Sequence, residues 1–161
     1  MTIRPLRLED AKDIASIYSY YVTHTSITFD TNPPDEKDMS SRLNGIYKLF
    51  PAFVAEENGQ IVGYCYAHTW KEKAAYSPTI ETTVYIHPKH TKKGYGTLLM
   101  KTLIEACRKQ NIHALIACIT YPNPNSIQMH ERLGFKKVSH FKEVGKKFGQ
   151  WLDVVDYEFI I

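Results

Sequence analysis

Three cysteines are few for 161 residues, and Cys65, Cys107 and Cys118 form no C-x-x-C pair. A disulfide framework is thereby excluded, no zinc site is suggested, and a reducing cytosol is the expected home. No apolar run approaches the ~18 residues that a membrane span requires. Met1-Thr-Ile-Arg-Pro-Leu-Arg7 carries no apolar signal core, so neither membrane insertion nor export is expected. Glycine and proline stop at 8 each, which leaves no room for a collagen-like repeat or a low-complexity linker. Charge of one sign is also scarce: 20 Lys and Arg against 17 acidic residues give a net +3, too mild to imply nucleic acid. What is present is 43% hydrophobic residues, enough for a core, in a length that suits one domain over residues 1–161 and excludes a two-domain dehydrogenase or kinase.

Hydrophobic periodicity orders the chain. Ile3 to Arg7 reads as a strand, and Glu9 and Asp10 open a helix with Ile14, Ile17, Tyr18 and Tyr21 on its apolar face. Asp35, with Asp38 three residues on, caps a second helix carrying Met39, Leu43, Ile46 and Phe50. Phe53 to Glu56 and Ile61 to Tyr66 flank Asn58-Gly59, a strong hairpin signal. Ile80 to Ile86 predicts a central strand, and Gly94 to Gln110 a helix buried through Leu98, Leu99, Leu103, Ile104 and Cys107. A buried strand at Ala114 to Ile119, a helix at Asn125 to Leu133 closed by Gly134, and strands at Lys136 to Glu143 and Trp151 to Ile160 complete the pattern. One strand-helix-strand crossover among hairpins implies a mixed sheet covered by helices.

The segment from Val84 to Leu99 puts glycines and lysines between a strand and a helix start. Gly94 and Gly96 permit a sharp turn that exposes backbone N–H groups, the helix dipole adds partial positive charge, and Lys92 and Lys93 add full charges, which together suit phosphate. It is neither a P-loop, since G-x-x-x-x-G-K-[ST] is absent, nor a dinucleotide fingerprint, since Leu99 replaces the third glycine. His87 and His90 lack a third ligand at useful spacing, so no metal site is expected. The aromatics, among them Tyr20, Trp70 and Trp151, suit a core or a dimer interface rather than base stacking.

Downstream, Asn123-Pro-Asn-Ser126 leads through His130 to Gly134-Phe135. With the Gly94 loop this resembles the GNAT superfamily of N-acetyltransferases. Ser26-Ile-Thr-Phe29 before Pro33-Pro34, Ala74-Ala-Tyr76, Thr79 to Ile86, His130 to Phe135 and Val144 to Asp153 resemble its phosphinothricin and methionine sulfoximine acetyltransferase group. The resemblance implies an α/β (α+β) fold, a mixed and mostly antiparallel sheet flanked by about four helices, acetyl-CoA as acetyl donor, a small-molecule amine as acceptor and a homodimer. Cofactor binding is implied at Val84, Tyr85, Ile86, Thr91, Lys92, Lys93, Gly94, Tyr95, Gly96, Thr97, Asn123 and Ser126. Thr91 departs from the family's Gln or Arg, so that side chain's bond to the pyrophosphate is either missing or made instead by Lys92 or Lys93. Phe148 stands where some phosphinothricin enzymes carry His and favours sulfoximine- or sulfone-like amino acids.

For chemistry, Glu81 is the expected general base on the central strand and His130 the expected acid for the departing thiolate, where many relatives use Tyr. Backbone N–H groups from Val84 to Ile86 would polarise the thioester if the strand splays from its neighbour. Phe29, Lys73 and Tyr76 are the expected acceptor pocket, with Lys71 and Lys73 standing where relatives often carry Arg, which grips a carboxylate with two bonds. Two other readings remain open: the same fold acting on a protein N-terminus or a polyamine, and a non-catalytic acyl-CoA-binding module.

Overall fold

The computed structural model describes residues 1–161. Its elements follow the expected order: β1 (Thr2–Pro5), α1 (Ala11–His24), α2 (Glu36–Asn44), β2 (Ala52–Glu57), β3 (Gln60–Thr69), β4 (Thr79–Ile86), α3 (Tyr95–Lys109), β5 (Ala114–Tyr121), α4 (Pro124–Arg132), β6 (Lys136–Lys147) and β7 (Gln150–Ile160). Short 3-10 turns at Leu8–Asp10, Ala74–Tyr76 and Pro88–His90 join them. The strands form one sheet in the order β1-β2-β3-β4-β5-β7-β6. Every neighbouring pair is antiparallel except β4 with β5, the parallel pair that the α3 crossover requires. The architecture is the mixed, mostly antiparallel sheet with four helices that the resemblance implied.

Each face of the sheet has its own core, because side chains alternate along a strand. On β3, Cys65 and Ala67 join Leu99, Met100, Leu103 and Cys107 of α3 on one side. Tyr64 and Tyr66 join Ile14, Ile17 and Tyr18 of α1 and Met39 and Leu43 of α2 on the other. The Asn58-Gly59 turn forms as expected, both residues taking positive φ (52° and 77°).

β1, β3 and β5 end within three residues of expectation, and two boundaries differ by more. α2 stops at Asn44, so Ile46 and Phe50 lie beyond it in successive turns, with Ile46 N–H bonded to Leu43 O and Leu49 N–H to Ile46 O. Pro51, which disfavours helix in the residue before it, and the flexible Gly45 explain the early stop. β6 runs on to Lys147 rather than ending near Glu143, through an irregularity between Phe141 and Gly145 where Glu143 takes φ 52°. The chain reverses at Phe148-Gly149, both at positive φ (51° and 73°), a turn hidden from the sequence pattern because Phe rarely adopts that conformation.

Candidate active site

The single parallel pairing is short. β4 and β5 pair only at Thr79↔Ala114, Ile80↔Leu115 and Glu81↔Ile116. Beyond that, β4 stays bonded to β3 as far as Ile86 and β5 to β7 as far as Tyr121, so the facing edges separate and leave backbone groups without a strand partner. A cavity of about 950 Å³ opens in this cleft, within the size usual for small-molecule sites. Glu81 to Ile86, Ala117 to Thr120, the loop before α3 and the inner side of α4 wall it.

The loop is built to receive an anion. Lys92 and Gly94 take left-handed backbone (φ 61° and 83°), and α3 starts at Tyr95 without a side-chain cap, which leaves its first N–H groups free. A Cβ on Gly96 would come within 3.1 Å of Met129 Sδ on α4, so this close approach suits glycine. Thr91, Lys92, Gly94, Tyr95, Gly96 and Thr97 line the cavity, as do Val84, Tyr85, Ile86, Asn123 and Ser126. Lys93 does not; its Nζ turns to Glu57 Oε2 at 3.7 Å.

Glu81 and His130 both face this cavity. Burial, with a smaller contribution from the charge of Asp156, raises the Glu81 pKa above 4.5. His68 Nε2 lies 3.8 Å from Glu81 Oε1, but burial lowers the His68 pKa, so its ring is neutral at neutral pH and does not offset the rise. Asp156 in turn accepts hydrogen bonds from the Cys118 thiol and the Ser139 hydroxyl, each at 2.9 Å. His130 is 3% exposed, and its Nδ1 sits 2.8 Å from Ser126 O. A carbonyl only accepts, so this contact favours the tautomer with the proton on Nδ1, with the Ser126 hydroxyl also 3.3 Å away; burial lowers the His130 pKa. In that tautomer Nε2 accepts a proton rather than donates one. Asn123 Oδ1 accepts from Ser126 N–H at 3.3 Å and caps α4.

Residues 3–155 match the family described as an acetyltransferase (GNAT) domain. The chain belongs to the GNAT acetyltransferases. It is 39% identical to a phosphinothricin N-acetyltransferase of Streptomyces coelicolor, over 97% of this chain and 94% of the relative. It is 35% identical to an L-methionine sulfoximine/L-methionine sulfone acetyltransferase of Salmonella typhimurium, over 96% and 91% of the two chains. A GNAT phosphinothricin acetyltransferase of Sinorhizobium meliloti, solved with acetyl-CoA, superposes with a TM-score of 0.96 at 31% identity, covering 99% of this chain and 88% of that one. Acetyl-CoA is therefore the acetyl donor, and the uncapped α3 terminus with its left-handed glycine fits its pyrophosphate.

Within this GNAT fold the three expected acceptor residues lie off the cavity wall. Phe29 packs on Gly145 of β6, with ring atoms where a Cβ would stand. Tyr76 meets Trp70 edge to face at 5.3 Å, and Lys71 Nζ lies 4.3 Å from the Trp70 ring, so the 70–78 loop folds on itself. Lys73, exposed, precedes the 3-10 turn in that loop. Phe148 is 61% exposed at a hairpin tip outside the cavity, so its ring gives no reason within one chain to exclude phosphinothricin. The wall is formed instead by Tyr18, Tyr20 and Tyr21 of α1, Thr25, Ile27 and Tyr66. Helical spacing marks Tyr18 and Tyr21 as core; their hydroxyls are the signal that spacing overlooks. Tyr21 donates to Ile86 O at 2.5 Å, and Tyr18 bonds Thr28 Oγ1 and Asp30 Oδ2 at 2.7 and 2.6 Å.

Proposed function

We propose that the chain acetylates the α-amine of a small amino-acid-like acceptor, of the methionine sulfoximine, methionine sulfone or phosphinothricin class, with Glu81 as general base. The observation that carries this reading is the position of Glu81: a partly buried carboxylate of raised pKa at the last paired residue before β4 and β5 separate. The activities in the names of the two relatives support the acceptor class.

Acetyl-CoA supplies the acyl group as an activated thioester, so the protein's work is placement, proton removal and polarisation. Glu81 takes a proton from the acceptor ammonium through a bridging water, the freed amine nitrogen bonds the acetyl carbon, and as the C–S bond breaks the second proton shed by that nitrogen passes through water to the CoA thiolate. Unpaired N–H groups on the Val84 to Ile86 edge polarise the carbonyl, with the end of that edge held by Tyr21. The departing sulfur needs no side-chain acid, because a free thiol ionises near pH ~8.5. His130 then acts by holding the α4 wall through Ser126. The same reading includes a homodimer, supported by the exposed apolar Phe141, Val144, Phe148 and Trp151 on the β6–β7 hairpin, and a reducing compartment, supported by three free cysteines.

The test is release of free CoA thiol from acetyl-CoA with purified protein and, separately, methionine sulfone, methionine sulfoximine, phosphinothricin and no amine. Amine-dependent release with at least one of the three is expected. Silence with all three, together with release on adding a peptide or a polyamine, would move the assignment to another acceptor.

A further inference from the structure

Glu57 ends β2 beside the Asn58-Gly59 turn and lies outside the cavity wall, yet its carboxylate touches the cofactor loop at three positions. Oε1 accepts from the Tyr95 hydroxyl at 2.5 Å, while Oε2 lies 3.1 Å from His90 Nδ1 and 3.7 Å from Lys93 Nζ. Tyr95 and His90 line the cavity. His90 Nδ1 is closed off from solvent and makes no well-aligned hydrogen bond, so the Glu57 charge is its polar neighbour. Between these anchors runs the left-handed backbone of Lys92 and Gly94. A lysine at positive φ is uncommon, and the carboxylate braces the loop around it through one hydrogen bond from Tyr95, one ion pair with Lys93 and a close contact with His90.

We propose that Glu57 is the positioning residue of the cofactor loop: it fastens Tyr95, His90 and Lys93 so that the N–H groups at the start of α3 stay aimed into the cleft. The inference rests on the loop's role as the pyrophosphate site. A carboxylate beside an anion site would repel the anion, but here the Lys93 charge faces it. The Tyr95 hydroxyl, with Lys93 and His90, holds the Glu57 pKa below 4.5, so the anchor stays charged at neutral pH. This also accounts for the absence of Lys93 from the cavity wall, since its charge is turned toward Glu57.

Calorimetric titration of CoA and acetyl-CoA into purified protein, beside steady-state kinetics and melting curves without ligand, tests it. Glu57→Ala is expected to weaken acetyl-CoA binding about tenfold, the effect of removing one charged hydrogen bond, and to raise KM for acetyl-CoA while kcat and the acceptor KM stay within about twofold. Glu57→Gln, which keeps an oxygen for Tyr95, should fall between. The double variant Glu57→Ala with Tyr95→Phe should bind no more weakly than Glu57→Ala alone, because the two share one bond. Unchanged or tighter binding in Glu57→Ala, or equal changes in kcat and both KM values, would overturn the proposal. Absence of CoA binding by the unsubstituted protein would instead overturn the loop's assignment, a separate result that does not depend on the acceptor.

Discussion

At the scale of single residues, the proposed chemistry depends on a proton affinity set by neighbours on three strands. Glu81 on β4 faces His68 and Tyr66 of β3, Cys118 of β5 and Asp156 of β7. A base works only when deprotonated, so kcat/KM should rise with pH through a pKa above 4.5, the ordinary value. Asp156→Asn removes a negative charge and should move this acidic limb to lower pH, which a pH–rate profile reads directly; an unmoved limb would show that Asp156 does not act on the base. Glu81→Gln should lower kcat about a hundred- to ten-thousand-fold with acetyl-CoA binding by calorimetry unchanged, and equal activity would remove Glu81 from the mechanism. Glu81 is legible in the sequence because its strand and family motif are; its high proton affinity is not, since burial and Asp156 are brought by strands distant in sequence.

At the scale of elements, the proposed acceptor side of the cleft is held where a loop meets a hairpin. The segment after α1 is fixed by Lys147 Nζ donating to Thr28 O at 2.8 Å and by Thr120 Oγ1 donating to Ile27 O at 3.2 Å. Phe29 lies against Gly145 of β6 so closely that an added Cβ would overlap its ring. Gly145→Ala should therefore destabilise the protein by about 1–3 kcal/mol through overpacking, seen as a lower urea midpoint. It should also raise the acceptor KM while leaving that for acetyl-CoA alone. In a Phe29→Ala background the same substitution should cost little, because the clash has gone; an undiminished cost would place the strain elsewhere. Phe29, expected in the acceptor pocket, packs instead on Gly145 and lies off the cavity wall. Motif position singles out the segment, but which way a loop ring turns depends on the hairpin it meets, more than a hundred residues later.

At the scale of the whole molecule, β1 is tied to β2 and to the approach to α1 through Arg4. Its guanidinium makes two bonds to Asp10, at 2.8 and 2.9 Å, and one to Glu56 at 2.9 Å. The Asp10 side chain is only 8% exposed. Burial alone would raise its pKa, but the bonds from Arg4 and from Arg7 N–H outweigh it and hold the value below 3.8. A depressed carboxylate adds stability that is present above its unfolded pKa and lost as pH falls through the folded one. Asp10→Asn should cost about 3 kcal/mol at neutral pH, with its melting curve approaching that of the unsubstituted protein as pH drops below about 4; parallel curves down to acid pH would deny Asp10 this role. The sequence by itself determined the element order, a sheet covered by helices, the Asn58-Gly59 hairpin and the glycine turn before α3, because these follow from periodicity, turn chemistry and glycine, all local along the chain. The tertiary structure decided where β4 and β5 part, which tyrosines line the cleft, what His130 is buried against and what Glu57 touches. Those depend on groups far apart in sequence meeting in space, where burial and the neighbour's charge set what each side chain can do.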